Sequence, residues 1–583
     1  MLTRVNRLLL GFCLFAYTLT LPLYSFAATT TSHSTSKTSK KHHKRATTSS
    51  KTTSKTPATT AATPATRSTT KTTTKKTKHG KKKAVAAAPA IPQTANVQEG
   101  IDQILSKFSR INVGVMVQSL DTGATLYQHN SNQTYMPAST LKLFTAAAAL
   151  TYLGPSYTFK TQLLTNNNYI QNGVLAGDLY VRFSGDPELT IAQVSDLIAT
   201  LTKDGIREIQ GSLIVDDNDM DHQNMGPGWL PRWQMLCYAA PSNAVILNRN
   251  CFAITLAPGK NNGPVQVRIP QNLANLTVTN QALTRSGGAQ NPLELKPTSN
   301  NNYILTGYMS PRRAPVGIGV TLNDTRAAGI NVVNNLLRQH GILLHGKVYY
   351  GRVPGNVQIL AEHESRPVSA LVTKMLKKSD NLIAGSLFKK LGNTYFNTTG
   401  TWQNSAQAER GILEPKTGID FSKTVIVDGS GLSRLDLISP AQFVKLLQYT
   451  YRMPANLVFY QALPISGIDG TLRGRLGGAT AGKVHAKTGT VDAHSGLVGY
   501  IQTVNHQNLI FAILVDDPVD GKGNQGVYHL VEDRICQFLA MHPNLSTKPQ
   551  PVVTKPAVVA PPAVPVTAPT TATKVPATNT PSN

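Results

Sequence analysis

At 583 residues the chain is long enough for two to four domains, and its four cysteines are too few for a disulfide scaffold. Its net charge of +27 is concentrated: between Thr29 and Lys83 there are 15 Lys or Arg and no acidic residue. Arg4, Arg7, Lys548, Lys555 and Lys574 supply five more, which leaves +7 for the middle of the chain and argues against a nucleic-acid-binding face.

Residues 1–27 read as a secretory signal: Arg4 and Arg7 precede an apolar run from Leu8 to about Tyr24, and Ser25-Phe26-Ala27 has small residues at the positions a signal peptidase needs. A retained membrane anchor is the competing reading. Residues 28–96 are Thr, Ser, Lys, Ala and Pro with almost no large apolar side chain, so they cannot offset their ordering entropy and are expected to be disordered. The charge of that linker suits anionic envelope polymers or lipid headgroups, a solvated spacer being the plainer reading. His42-His43 within it reads as solvated arm rather than a metal site. Residues 544–583 form a Pro/Ala/Thr-rich tail of extended, polyproline-like character.

Folded sequence starts at residue 97. Gln98 to Ser109 is amphipathic, Asn112 to Leu120 alternates as a strand, Asp121-Thr122-Gly123 is a hairpin turn, and Ala124 to His129 returns. Met136-Pro137-Ala138-Ser139-Thr140-Leu141-Lys142 then feeds an Ala-rich apolar helix. From 157 to 346 short strands alternate with Asn/Gly/Pro turns, which reads as a β-rich insertion of one or two smaller domains. Helical texture returns with Pro367 to Leu376, Asn381 to Leu391, Ser405 to Leu413 and Ser439 to Tyr451. Three strands follow, Ala481 to Thr490, Ser495 to Thr503 and Asn508 to Asp516, and a helix from Gly526 to Met541 closes the domain. The implied fold class is α+β: one antiparallel sheet built from residues 97–156 and 347–543, flanked by helices and interrupted by the insertion.

Cys13 leaves with a cleaved signal. Of the remaining three, Cys237 and Cys251 are placed to close a loop across a hairpin, with Cys536 free in the last helix; three buried thiols is the alternative.

Three short segments carry chemistry. Ser139 and Lys142 are three apart, so a helical turn puts an amine beside a hydroxyl at the positive end of a helix dipole, where a neutral amine is favoured. Spacing alone is weak, since Ser34 and Lys37 share it in the disordered linker. Ser379-Asp380-Asn381 lies between two helices, where a short loop can aim side chains into a cleft. Lys487-Thr488-Gly489-Thr490 lies on a strand, with Lys487 and Gly489 on one face and Thr488 on the other. A second Lys416-Thr417-Gly418 lacks alternation on either side and reads as a loop. Together these residues make an acyl-transfer site in which Ser139 attacks a carbonyl, Lys142 takes its proton, Ser379 relays a proton to the leaving amine, and Lys487 tunes the field. Asn381 orients the substrate amide, and the N–H groups of Ser139 and Thr490 receive the oxyanion. His485 shares a face with Lys487 and reads as structural; neither a metal-ligand cluster nor a cofactor motif stands out.

Ser-x-x-Lys with Ser-Asp-Asn and Lys-Thr-Gly is the set shared by penicillin-binding proteins and class A β-lactamases. Here 240 residues separate Ser139 from Ser379 and 108 separate Ser379 from Lys487. With that long first interval the chain resembles the class C low-molecular-mass penicillin-binding proteins, the D-alanyl-D-alanine carboxypeptidase/endopeptidase family often called penicillin-binding protein 4. Ser184-Gly185-Asp186-Pro187, Gly226-Pro227-Gly228-Trp229, Asn248-Arg249-Asn250-Cys251-Phe252, Asp428-Gly429-Ser430-Gly431-Leu432-Ser433-Arg434 and Asp469-Gly470-Thr471-Leu472 add to the resemblance. It implies a penicillin-binding, β-lactamase-like transpeptidase fold and a periplasmic hydrolase of peptidoglycan stem peptides that penicillins acylate on Ser139. It also implies substrate contacts from Asn381, Lys487, Thr488, Gly489 and Thr490. The chain departs from the family after Trp229, where Leu230-Pro231-Arg232-Trp233 stands in place of an acidic residue that would meet a stem-peptide amine. The alternatives are a β-lactamase, for which no deacylating glutamate stands out around Glu362 or Glu364, and a non-enzymatic envelope-binding protein.

Overall fold

The two ends of the folded sequence meet in one sheet. A computed structural model describes residues 91–94, 96–269, 274–286, 292–517, 524–542 and 545; the expected signal, nearly all of the basic linker and all but Leu545 of the tail lie outside them. Strands Asn112–Ser119, Thr125–His129, Val484–Val491, His494–Gln502 and Asn508–Asp516 pair antiparallel throughout. The hairpin Thr125–His129 lies at one edge, Val484–Val491 at the other, and Asn508–Asp516 in the centre. That central strand reads Asn-Leu-Ile-Phe-Ala-Ile-Leu-Val-Asp, a nearly continuous apolar run, because both of its faces are covered. Leu509, Phe511, Ile513 and Val515 pack with Val97, Ile101, Tyr528, Ile535 and Phe538 of the first and last helices. Ile510, Ala512 and Leu514 face the other way, onto the helical core.

The helix Lys142–Tyr152 runs through that core, and every residue from Lys142 to Leu150 is buried. A helix apolar all round belongs inside, and its Ala146 to Ala149 let the neighbouring helices Val368–Lys378, Asn381–Phe396 and Trp402–Thr417 come close. Pro440–Arg452 starts with Pro440 at its first turn and a reciprocal cap between Ser439 and Gln442.

The inserted segment has its own apolar core, formed under several small sheets. Its largest sheet orders Val348–Tyr350, Leu213–Asp216, Leu179–Arg182, Lys160–Thr165 and Gln358–Glu364 side by side. Two of those strands correct the expected boundary. Val348–Tyr350 and Gln358–Glu364 fall in the stretch assigned above to the catalytic part from residue 347, yet they pair with insertion strands Leu213–Asp216 and Lys160–Thr165. The chain therefore returns to the helical part at Pro367, not at residue 347. The helix Thr325–Gln339 was not expected in this β-rich stretch; it buries Ala328, Val332, Val333, Leu336 and Leu337 against the insertion core. The insertion grips the helix Asn381–Phe396 through buried pairs, Lys389 with Asp221 at 2.7 Å and Lys390 with Asp219 at 2.6 Å.

Candidate active site

Ser139 sits on a single tight turn, Ala138–Leu141, that leads into the buried helix. Ala138 takes a left-handed φ of 47°, uncommon for a residue with a side chain. Its carbonyl lies against Gly431, where a Cβ would fall 1.8 Å away, so only glycine allows the loop to close over the turn. The turn puts Ser139 Oγ 2.9 Å from Lys142 Nζ.

Ser379 ends the helix Val368–Lys378 in the left-handed conformation at φ 57°, and Asp380 caps the next helix by accepting the Ile383 N–H. The sharp reversal delivers Asn381, whose Oδ1 lies 2.6 Å from Lys142 Nζ, while its Nδ2 donates to the Tyr238 carbonyl at 2.8 Å. Ser379 Oγ lies 3.0 Å from Lys487 Nζ, and that amine also donates to the Thr488 carbonyl. The structure thus brings Ser139, Lys142, Ser379, Asn381 and Lys487 into one cluster.

The Lys487 strand is the sheet's edge; Pro464 and Ser466 cover its start through the Ala486 N–H and the Val484 carbonyl, and the alternate backbone groups beyond are left free of strand pairing. Gly489 faces the Ser139 turn: a Cβ there would lie 2.7 Å from the Pro137 carbonyl and 3.0 Å from the Ser139 nitrogen. Thr488, on the other face, bonds Thr471 Oγ1 at 2.7 Å, and Thr490 Oγ1 donates to the Gly489 carbonyl. Ser495, opposite Thr490 on the neighbouring strand, bonds the buried Glu532, which Arg475 also holds.

Burial dominates the electrostatics. Lys142 is fully buried, which lowers its amine to about 7 against the partial opposition of Asp428, Asp380 and Asp436. Lys487 is likewise held well below the ordinary lysine range, by burial first and by Lys142 second.

Several site residues carried no role in the sequence. Ser430 offers its carbonyl to Lys142 Nζ at 2.6 Å. Asp428 shapes that loop by accepting the N–H groups of Ser430, Gly431 and Ser433 and the Trp229 indole N–H at 2.5 Å. An Asp followed by Gly-Ser-Gly is the signature of a side-chain-closed turn, and that was the available signal. Cys237 and Cys251 are joined in a disulfide, and Cys536 is a buried free thiol. His485 stacks on Tyr460 at 4.4 Å. Lys416 and Thr417, expected in a loop, instead finish the helix Trp402–Thr417, with Gly418 as its left-handed cap. Glu362 and Glu364 pair with Lys160 on the insertion's edge strand.

The profile of the D-Ala-D-Ala carboxypeptidase 3 (S13) family matches residues 93–533. The D-alanyl-D-alanine carboxypeptidase DacB of Haemophilus influenzae is 33% identical over 434 residues, 73% of this chain and 90% of that one. A D-alanyl-D-alanine carboxypeptidase of Actinomadura sp. strain R39 is 29% identical over 477 residues, 78% of this chain and 88% of its own. Among solved structures, penicillin binding protein 4 from Haemophilus influenzae superposes with a TM-score of 0.70 at 30% identity, covering 76% of this chain and 99% of that one. The same protein is also known complexed with a β-lactam.

Proposed function

The chain belongs to the D-Ala-D-Ala carboxypeptidase 3 (S13) family and is a serine-type D-alanyl-D-alanine carboxypeptidase of the penicillin-binding protein 4 kind, and from that premise we propose how its residues divide the work. The observation that carries the assignment is the set of neighbours around Lys142 Nζ. A neutral amine has two N–H donors and one lone pair. Asn381 Oδ1 and the Ser430 carbonyl are acceptors only, so they take the two N–H groups. The lone pair then points to the third neighbour, the Ser139 hydroxyl, which donates to it.

Ser139 Oγ attacks the carbonyl of the penultimate D-Ala as Lys142 takes its proton. The N–H groups of Ser139 and Thr490 receive the oxyanion, a contribution of about 3–4 kcal/mol per donor in studied enzymes. The proton reaches the departing amine through Ser379, whose hydroxyl bonds Lys487. The terminal D-Ala leaves, and water releases the acyl group from Ser139. The substrate backbone lies along the free edge of the Lys487 strand, close to Gly489, with Lys487 and the hydroxyls of Thr488 and Thr490 toward its terminal carboxylate.

Release of terminal D-Ala is the primary reaction. Hydrolysis of cross-links is secondary, because Arg232 stands after Trp229 where an acidic residue would meet a stem-peptide amine, and the nearby acid, Asp492, is already paired with Arg232 and Arg434. The β-lactam bound by the Haemophilus influenzae relative supports penicillins as acylating inhibitors of Ser139 here. The work takes place in the periplasm, with the basic linker holding the enzyme to anionic envelope polymers.

Mass spectrometry of purified monomeric and cross-linked muropeptides tests the reaction: loss of one alanine is expected first, and cleavage of dimers with no alanine loss would reverse the order. Fluorescent penicillin should label the parent and not Ser139→Ala; labelling that survives would remove Ser139 from its role.

A further inference from the structure

Arg249 stands 131 residues before Asp380 in sequence, and its Nη2 reaches both carboxylate oxygens, at 2.9 and 2.7 Å. Asp380 is the central residue of the loop that presents Ser379 and Asn381, and its side chain is 9% exposed, against 38% for Arg249. The turn that aims Arg249 is strained. Asn248, Arg249 and Asn250 take φ values of 47°, 64° and 49°, three successive left-handed residues with side chains. Such a conformation persists only where its surroundings over-determine it. Here Asn250 accepts the Leu247 N–H and donates to the Pro241 and Val245 carbonyls, and Asn248 accepts the Ile191 N–H. The disulfide closes the loop at Cys251, and next to its other end the Tyr238 carbonyl holds Asn381. The inserted segment therefore touches the Ser-Asp-Asn loop twice, through residues that flank one disulfide.

We infer that Arg249 is a positioning residue for acylation: it pins the Ser379–Asn381 loop through Asp380 and balances the Asp380 charge beside the general-base lysine. The inference rests on the role given to Lys142 above. Asp380, Asp428 and Asp436 all act to raise the Lys142 amine, and Lys487 is the second buried amine that faces it; Glu409 lies behind Thr145. Of the three aspartates, Asp428 is held by backbone and indole N–H groups and Asp436 by the Val427 N–H, whereas Asp380 is paired with a cation. Without Arg249 the Asp380 carboxylate keeps only the Ile383 N–H at its helix cap and loses its cation, so the ammonium form of Lys142 is favoured and less free amine is present at any given pH.

The test is the second-order rate of acylation by fluorescent penicillin on the purified full-length protein from pH 5.5 to 9.5, with thermal melting as a check on folding. Arg249→Gln is expected to lower the rate about tenfold to a hundredfold near pH 7 and to move the acid limb upward by about one pH unit. Arg249→Lys restores the limb, because charge is returned, but only part of the rate, because a flexible ammonium lacks the planar guanidinium geometry that fixes the loop. An unchanged limb in Arg249→Gln, or a Lys variant whose limb matches that of Gln, would overturn the inference, and the Lys variant decides the matter if Gln does not fold. Lys142→Ala separates the two claims: if it still acylates, the role of Lys142 fails first, whereas its inactivity beside a parent-like Arg249→Gln sinks only the positioning role.

Discussion

Asn381→Asp exchanges one nitrogen for oxygen and places a carboxylate where an amide oxygen now lies 2.6 Å from Lys142 Nζ. With charge centres about 4 Å apart and an effective dielectric near 20, the attraction is about 4 kcal/mol, or about three pH units on the lysine. The parent amine titrates at about 7, so about half of it is free base at neutral pH. In the variant about one molecule in a thousand would carry it, and acylation at pH 7 falls by several hundredfold. The assay is the rate of fluorescent-penicillin acylation from pH 6 to 10. Each unit of rising pH should return about a factor of ten until the limb flattens near 10. Loss of the Asn381 bond to Tyr238 also costs rate, but equally at every pH, so it lowers the curve without moving its limb. A deficit of less than about tenfold at pH 7, or one that rising pH leaves in place, would refute the picture of Lys142 as a burial-tuned base.

Gly489→Ala presses a methyl group onto the Pro137 carbonyl and the Ser139 nitrogen, so acylation should drop about tenfold or more with a stability loss of about 1–3 kcal/mol; parent-like labelling kinetics would mean the strand does not approach the turn in solution. The disulfide closes a separation of 14 residues, which predicts about 3 kcal/mol lost on reduction or in Cys237→Ser, read from guanidinium melts; coincident melts with and without reductant would contradict it. Burial raises the Glu409 carboxyl to about 8 from an ordinary 4.5. The folded chain therefore keeps a proton that the unfolded chain releases between those pH values, and stability declines as pH rises through that window. Glu409→Gln should flatten the decline by on the order of a few kcal/mol, and an identical slope in both proteins would show that the carboxyl ionises freely.

What could be read in the chain follows from how local each signal is. The Lys487 strand and its neighbours announce themselves by alternation, and the buried Ser139 helix by its unbroken apolar run. The return point at Pro367 was misplaced because Gln358–Glu364, Gln-Ile-Leu-Ala-Glu-His-Glu, is a polar edge strand whose partner Lys160–Thr165 lies almost two hundred residues earlier. Thr325–Gln339 was missed because Asn331, Asn334 and Asn335 dilute its apolar stripe and mimic turn chemistry. Lys416 to Gly418 reads as a loop because it lacks alternation on either side, yet Pro415 rides on the last turn of a helix and Gly418 caps it. Arg249 stands out only as part of the string Asn248 to Phe252, since nothing local marks its link to Asp380. The carbonyl of Ser430 was invisible for a different reason: any residue has one, and only the loop held by Asp428 aims it at Lys142.

The central sheet has a consequence for the order of biogenesis. Val117 lies opposite Phe511, so the first strand of the domain waits for almost four hundred residues to be synthesised before it gains its inner neighbour. Lys487, the edge strand and the last helix arrive later than Ser139 by a comparable stretch of chain. A ribosome-bound polypeptide thus carries Ser139 long before the residues proposed to activate it, and the site is assembled only once the helix ending at Met541 has been made.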